Sequence, residues 1–219
     1  KIIKSQDVLS VQVHPGDEYA KLHEQSLGKT EMWYILEAED GSGIYAGFNR
    51  ELSRDELCSA ISDGTIREEL RFHGVKPGDA VFIPAGMCHA IGGGLTIAEI
   101  QQSSDITYRL YDWDRVSGDG KKRELHIKKS LDVTDTGLMP HVIDTVFEQK
   151  IVSSRYFDVF RVKDSIDIQI ETFAGVYILS GEAGEYQKCD TLFIDDSIFH
   201  LNGNFEALIF STHKGVAIK

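Results

Sequence analysis

The chain has 219 residues, of which 42% are hydrophobic and 26% charged, as is usual for one sizeable globular domain or two small ones. Its net charge of −12 argues against a nucleic-acid partner, because phosphate backbones select clustered Lys and Arg. No apolar run approaches the roughly 20 residues of a membrane helix, so no membrane association is expected. An anionic small substrate would need a local basic pocket within a repulsive overall field.

Most of the chain is predicted to form β-strands. Short apolar or alternating runs bounded by turn residues predict a mainly β protein, a sandwich or barrel. These runs are Leu9–His14, Met32–Ala38, Ala80–Pro84, Leu95–Ile100, Asp158–Val162 and Val176–Leu179. One stretch differs, because Ser53-Arg54-Asp55-Glu56 has the capping-box pattern and apolar residues follow it at helical spacing. We predict a helical insertion over residues 53–73, broken near Asp63-Gly64.

A faint internal repeat divides the chain. Asp79–Ile83 resembles Asp190–Ile194, and Trp33–Leu36 resembles Val176–Leu179. The repeat predicts two related β domains, with residues 1–138 in the first and 139–219 in the second.

The second domain has lost the polar residues of the first. His200 lies as far beyond Asp190 as His89 lies beyond Asp79, but Ala174 takes the place of Glu31. We therefore predict that the second domain is degenerate and that His200 is structural.

The first domain carries a candidate metal site. Gly78-x5-Pro84-x-Gly86-x2-His89 matches the second motif of cupins, small jelly-roll barrels with a metal in the mouth. Gln12 and His14 lie two residues apart, so a strand presents them on one face, and Glu31 follows after a turn. With His89 they make a nitrogen and oxygen shell suited to a borderline divalent ion.

Four motifs in register resemble the short bacterial form of type I mannose-6-phosphate isomerase, in the cupin superfamily. The likeness covers about Val8 to Leu131, with a looser second cupin unit after it. The motifs are Leu9-Ser10-Val11-Gln12-Val13-His14-Pro15, Gly28-Lys29-Thr30-Glu31, Pro84-Ala85-Gly86-x-x-His89-Ala90 and Ser103-Ser104-Asp105-x4-Arg109.

The resemblance implies a metal-dependent aldose–ketose isomerase that interconverts mannose 6-phosphate and fructose 6-phosphate through an enediol. It implies one divalent ion per chain, zinc, with Gln12, His14, Glu31 and His89 as ligands. It also implies a catalytic Arg109, an Asp105 that transfers protons or orients Arg109, and contacts to the sugar phosphate from Ser10, Lys29 and Arg115. The base stays open, since a metal-bound hydroxide, Glu31, Asp105 or a histidine could serve.

Other interpretations remain. The chain could be a non-catalytic cupin that binds a sugar or sugar phosphate, although such a binder needs no arginine beside the metal, as Arg109 would be. An iron-dependent oxygenase is disfavoured, because those sites prefer histidine where Gln12 stands. Arg115 could simply pair with Asp112 or Asp114.

The sequence also predicts the cellular location of the protein, its oligomeric state and a further N-terminal segment. Three cysteines without CxxC spacing favour a reduced, cytoplasmic protein. A monomer or homodimer is expected. The chain begins at Lys1 with strand-like sequence and no methionine, so we expect a further segment before it in the full protein.

Overall fold

The computed structural model describes residues 1–116, 118, 120–145, 150–195 and 197–218. The chain divides into two compact units, Lys1–Val142 and Ile143–Lys219. The sequence places this boundary after residue 138, whereas in the structure it falls within the strand His141–Asp144.

Two sheets build the first unit. One has the order β1 (Ile2–Ser5), β8 (Leu95–Gln101), β3 (Glu31–Ala38), β6 (Asp79–Ile83) and β10 (His141–Asp144). The other has the order β5 (Leu70–Gly74), β4 (Gly43–Phe48), β7 (His89–Ile91), β2 (Val11–Val13) and β9 (Tyr108–Tyr111). The prediction of a mainly β, cupin-like sandwich is confirmed.

The core of the first unit lies between these sheets. Trp33 and Val81 of the first sheet share one buried cluster with Ile44 and Ile91 of the second. Alternation along each strand places these apolar side chains inward. Polar residues that point into the same space are therefore exceptional and mark a candidate site.

Two helices of the insertion, α2 (Arg54–Ser62) and α3 (Ile66–Glu69), cover the other face of the second sheet. The capping box is present, because Ser53 Oγ accepts a hydrogen bond from Glu56 N and the Glu56 carboxylate accepts one from Ser53 N. Leu57 and Ile66 share one buried cluster with Val11 of β2.

The helical prediction is wrong for residues 70–73, which belong to β5. Leu70 pairs with Phe48 and Phe72 with Tyr45, so this stretch completes the sheet beside β4. Leu70 is buried and Arg71 to Gly74 alternate in exposure, a period-two pattern that the preceding helical spacing obscures.

Two further helices, α1 (Asp17–Glu24) and α4 (Ile127–Val133), were not predicted. Each buries only one residue, Ala20 in α1 and Ser130 in α4. Neither helix therefore carries an apolar stripe that a sequence pattern can reveal.

The second unit also consists of two sheets. One has the order β11 (Lys150–Ser153), β12 (Phe157–Lys163), β18 (Gly203–Thr212), β14 (Ala174–Ala183) and β15 (Tyr186–Gln187), with β16 (Thr191–Ile194) also on β14. The other has the order β17 (Ile198–Leu201), β13 (Ile166–Ile170) and β19 (Val216–Ile218). Val176, Ile209, Ile168 and Leu201 lie in their common core.

The internal repeat is visible in strand pairing. Trp33 pairs with Val81 between β3 and β6, and Val176 pairs with Leu192 between β14 and β16. The matched positions of the two sequence blocks are thus paired in the same register in both units.

The repeated positions carry different chemistry. Ala174, at the position of Glu31, is fully buried. His200 is exposed, and its Nδ1 lies 2.7 Å from Asp167 Oδ1. No group of three potential metal ligands occurs among the second unit's described residues.

Among the residues for which coordinates are described, no helix has the length and apolar character needed to cross a membrane. Cys58, Cys88 and Cys189 are all described, and none forms a disulfide.

Candidate metal centre and substrate cavity

Three side chains converge between the sheets of the first unit. His14 follows β2, Glu31 begins β3 and His89 begins β7. One ligand atom from each lies within 4.8 Å of the others, and all three residues are buried, at 1%, 1% and 3% exposure. The group can hold a divalent metal ion.

The two histidines present the same nitrogen to Glu31. His14 Nδ1 donates to the carbonyl oxygen of Ile106 and His89 Nδ1 donates to that of Met87, each at 2.9 Å. A carbonyl only accepts, so each bond places a proton on Nδ1, and Nε2 is the nitrogen of each ring that can bind a metal. Backbone oxygens orient metal-binding histidines in this way.

The Nε2 atoms of the two histidines and the oxygens of Glu31 are spaced so that a cation can bind between them. His14 Nε2 lies 3.4 Å from Glu31 Oε2, and His89 Nε2 lies 3.5 Å from Glu31 Oε1. Lone pairs and carboxylate oxygens at this separation repel one another unless a positive charge is shared. Glu31 Oε2 accepts no hydrogen bond from the described residues, although Lys29 Nζ lies 2.7 Å from it. The residues present therefore fit a metal ion.

The protonation states agree with this arrangement. Burial opposes ionisation of Glu31, but His14, His89 and Lys29 outweigh it and hold the pKa of that carboxyl well below its usual range. Burial, with the nearby His14, lowers the pKa of His89 to about 4. A neutral imidazole beside an ionised carboxylate is the form in which both residues bind metals.

Lys29 reaches the same centre through a close backbone contact. Lys29 N donates to Pro15 O at 3.0 Å, and a Cβ on Gly28 would lie 2.6 Å from Asp17 N. Only glycine allows this approach, which brings the start of β3 beside His14. Lys29 Nζ then lies 3.2 Å from His14 Nε2.

Gln12 and Arg109 lie side by side across the second sheet. Gln12 of β2 pairs in register with His89 of β7 on one side and Arg109 of β9 on the other. Cross-strand partners project from the same face, so the three side chains are neighbours. Ser10 Oγ accepts from both Gln12 Nε2 and Arg109 Nε, each at 3.3 Å.

The structure places two predicted residues away from the triad. Asp105 is exposed and does not line the cavity described below. Ser10 and Arg109 do not line it either, but Ser10 connects both Arg109 and Gln12 through hydrogen bonds. Arg115 Nη1 donates to Val8 O at 2.6 Å, and its Nη2 lies 2.5 Å from Asp112 Oδ1, one of the two pairings left open by the sequence.

A cavity of about 200 Å³ opens beside the triad. It is lined by Lys1, Ile3, Leu9, Gln12, Lys29, Glu31, Trp33, His89, Ala90, Ile91 and Glu99. Lys1 and Glu99 are not among the site residues predicted from the sequence. Glu99 is 6% exposed and accepts from Trp33 Nε1 at 3.2 Å. Its position inside an apolar strand was a signal, because a buried carboxylate is rare without a role.

Comparison with known proteins identifies relatives over nearly the whole chain. The mannose-6-phosphate isomerase ManA of Bacillus subtilis is 38% identical over 95% of this chain and 73% of its own length. The mannose-6-phosphate isomerase of Streptococcus mutans is 40% identical over 84% of this chain and 60% of its own length. The chain thus spans part of the length of both relatives.

Solved structures agree. The crystal structure of the Bacillus subtilis mannose 6-phosphate isomerase superposes with a TM-score of 0.81 at 27% identity, covering 96% of this chain and 73% of that one. A variant of the Salmonella typhimurium phosphomannose isomerase shares the fold, with a TM-score of 0.69 at 12% identity over 97% of this chain and 78% of its own.

No family model matches the sequence. The resemblance carried by the four motifs is nevertheless confirmed, because the likeness to ManA extends over 95% of the chain and nearly three quarters of that protein. The chain belongs to the mannose-6-phosphate isomerase family.

Proposed function

We propose that the chain interconverts mannose 6-phosphate and fructose 6-phosphate in the cavity beside His14, Glu31 and His89. The observation that carries this proposal is the buried triad, in which Nε2 of each of two histidines faces one oxygen of the Glu31 carboxylate in a member of this family. Nitrogen and carboxylate ligand atoms that converge in this way suit a bound divalent cation.

Zinc is the proposed metal. Two imidazoles, the Glu31 carboxylate and the amide oxygen of Gln12 would make a mixed shell that suits this borderline ion and can expand for substrate oxygens. A bound zinc ion supplies a Lewis acid for the carbonyl and hydroxyl oxygens of the sugar.

Arg109 is the proposed catalytic cation. Its guanidinium donates to Ser10 Oγ at 3.3 Å and to Glu124 O at 2.8 Å, so its orientation is fixed before substrate binds. Isomerisation moves a proton between C1 and C2, and negative charge develops on the sugar oxygens. A preorganised guanidinium next to Gln12 would stabilise that charge.

The cavity limits the choice of base. Glu31 and Glu99 are the carboxylate residues in its lining, whereas Asp105 is exposed outside it. We therefore favour orientation or surface roles for Asp105 over proton transfer. Lys29, 8% exposed in its side chain and 2.7 Å from Glu31 Oε2, would bind an oxygen of the sugar near the metal.

The first test is formation of fructose 6-phosphate from mannose 6-phosphate by the purified protein. We expect turnover that a chelator abolishes and added zinc restores. The E31Q variant, checked for folding by circular dichroism, should stay inactive after zinc is added. Absence of turnover in folded, zinc-loaded wild-type protein would contradict the proposal.

The alternative is a cupin that binds a sugar phosphate without converting it. Calorimetric binding of mannose 6-phosphate by wild-type protein that shows no turnover would favour this alternative. Arg109 beside Gln12 argues against it, because binding alone does not need a catalytic arginine near the metal ligands. A cytoplasmic location and a monomeric or homodimeric state stay predictions.

A further inference from the structure

Two guanidinium groups meet on one carboxylate at the end of β9. Asp112 is 6% exposed, and Arg123 binds both of its oxygens, through Nε at 2.7 Å and through Nη2. Arg115 binds the same carboxylate through Nη2 and the Asp112 carbonyl oxygen through Nε at 3.3 Å. Burial opposes ionisation, but the bonds from Arg123 and Arg115 outweigh it and lower the pKa of Asp112.

An unusual turn brings Arg115 back over Asp112. The residues between them, Trp113 and Asp114, have φ values of 56° and 54°, and Arg115 N donates to Asp112 O at 3.1 Å. A positive φ is unfavourable for a bulky residue such as tryptophan and persists only where other contacts enforce it. Such positions concentrate at binding sites.

The turn is attached to the segment that borders the substrate cavity. Trp113 Nε1 donates to Leu9 O at 2.7 Å, and Arg115 Nη1 donates to Val8 O at 2.6 Å. Leu9 itself lines the cavity, and the next residue, Ser10, joins Gln12 to Arg109. Three consecutive residues thus connect the paired arginines to the candidate metal centre.

The local charge is positive in an acidic protein. Burial lowers the pKa of Arg109, and Arg123 and Arg115 lower it further against the opposite effects of Asp112 and Glu124. Three guanidiniums therefore lie within electrostatic reach of one another, with two carboxylates to balance them. In a chain of net charge −12, this surplus favours an anionic ligand.

The family resemblance already implies that Arg115 contacts the phosphate of the substrate. We propose that Arg123 is a second phosphate-binding residue and that Asp112 aligns the two arginines as a paired clamp. This inference rests on the proposed function. Asp112 takes two of the five N–H donors of Arg123, so the guanidinium can hold the carboxylate on one edge and a phosphate oxygen on another. Asp112 is a positioning residue, because it acts through the arginines.

The test compares a phosphorylated with an unphosphorylated substrate. R123Q should lower the ratio of kcat/KM for mannose 6-phosphate to kcat/KM for mannose about tenfold or more, mainly through KM, because it removes a charge-assisted hydrogen bond. R123K should fall between R123Q and wild type, since lysine keeps the charge without the planar fork. An unchanged ratio in R123Q would overturn the proposal.

Arg50 provides the matched control. It is also a partly exposed arginine, bound to Glu56 and Glu69 on the helical insertion, so R50Q removes the same charge elsewhere in the first unit. We expect its substrate ratio to stay within about twofold of wild type, because exposed ion pairs contribute little. A fall equal to that of R123Q would show an effect of net charge alone and overturn the clamp.

The role of Asp112 needs a separate readout. D112N should lower the substrate ratio as well as the thermal midpoint, and D112E should restore part of the ratio. A lower midpoint with an unchanged ratio would mean that Asp112 only stabilises the loop and does not align the arginines.

If the wild-type protein shows no turnover, the proposed function fails, and binding of inorganic phosphate by calorimetry then tests the clamp. Equal phosphate affinity in wild type and R123Q would overturn it.

Discussion

Glu31 is buried at 1% exposure, and each of its oxygens faces the Nε2 atom of one histidine. We predict that E31Q binds zinc at least about tenfold more weakly, because loss of an outer-shell partner alone costs roughly 10–100-fold in metal affinity and Glu31 would bind directly. Bound metal can be measured by inductively coupled plasma mass spectrometry after dialysis against a competing chelator.

Glu99 offers the control at this site. It is a second buried carboxylate in the same cavity, but its oxygen accepts from Trp33 Nε1 and it lies outside the triad. E99Q should therefore retain about the wild-type amount of zinc. Equal metal loss in E31Q and E99Q would show that the triad does not define the site.

Some residues of the site can be predicted from short sequence motifs. His14, Glu31 and His89 are brought together by strand alternation and by turns that glycine and proline mark. Arg123 could not be found in this way, because its contact with Asp112 depends on how the chain folds back beyond β9. A single arginine in a polar stretch has no periodicity to reveal its partner.

At the level of elements, the turn before β3 controls the distance between Glu31 and His14. A Cβ on Gly28 would approach Asp17 N and Gly16 C to 2.6 Å and Pro15 O to 2.8 Å, all of them backbone atoms. We predict that G28A destabilises the protein by about 1–3 kcal/mol, because backbone must shift to relieve the overlap. The same shift should weaken zinc binding, since it moves the start of β3. Urea denaturation and metal analysis measure the two effects.

Gly74 at the end of β5 is the matched control. A Cβ there meets no atom within 4 Å, so G74A should change stability by no more than about 0.5 kcal/mol. A zinc affinity that G28A leaves intact would refute the idea that this close approach positions the centre.

Elements were predictable where local signals agreed with tertiary packing. The capping box at Ser53 identified the start of α2, because the same residues that satisfy its first turn are visible in the sequence. Residues 70–73 were assigned to a helix because β5 has only five residues and follows α3 directly. Its pairing with β4 decides the conformation, and that contact is not local.

At the scale of the whole molecule, the repeat in the sequence corresponds to a repeat of strand pairing. The equivalent pairs Trp33–Val81 and Val176–Leu192 show that both units place the same strands together. The triad occurs only in the first unit among the described residues. The two units therefore fit a duplicated fold. Both keep the same strand pairing, but among the described residues only the first has the triad of potential metal ligands.

The stability of the whole molecule should depend on pH, because the chain has 35 acidic and 23 basic residues. Asp158 of the second unit is an acid whose ionised form the fold stabilises. It is 1% exposed and accepts from Ser153 Oγ at 2.7 Å, Lys214 N at 3.1 Å and Lys150 Nζ at 3.2 Å. Burial opposes ionisation, but these bonds outweigh it and lower the pKa of Asp158.

The lowered pKa of Asp158 determines how the free energy of unfolding changes with pH. The unfolded chain binds the proton near the ordinary aspartate pKa of about 3.9, whereas the folded chain binds it only at lower pH. The stabilisation is therefore fully present above about pH 4–5 and is lost as the pH falls through the folded pKa. D158N should lower the free energy of unfolding at neutral pH by about 1–3 kcal/mol, and its deficit should shrink in acid. Urea denaturation at neutral and acidic pH measures both.

The exposed Glu171, in the same unit, serves as the comparison. E171Q also removes one negative charge, so any effect of net charge should appear in both variants, whereas the loss of buried hydrogen bonds is confined to D158N. We expect E171Q to follow the wild-type curve within about 0.5 kcal/mol at every pH. A deficit of D158N that stays constant from neutral to acidic pH would mean that the Asp158 charge does not contribute, and that only its shape and packing matter.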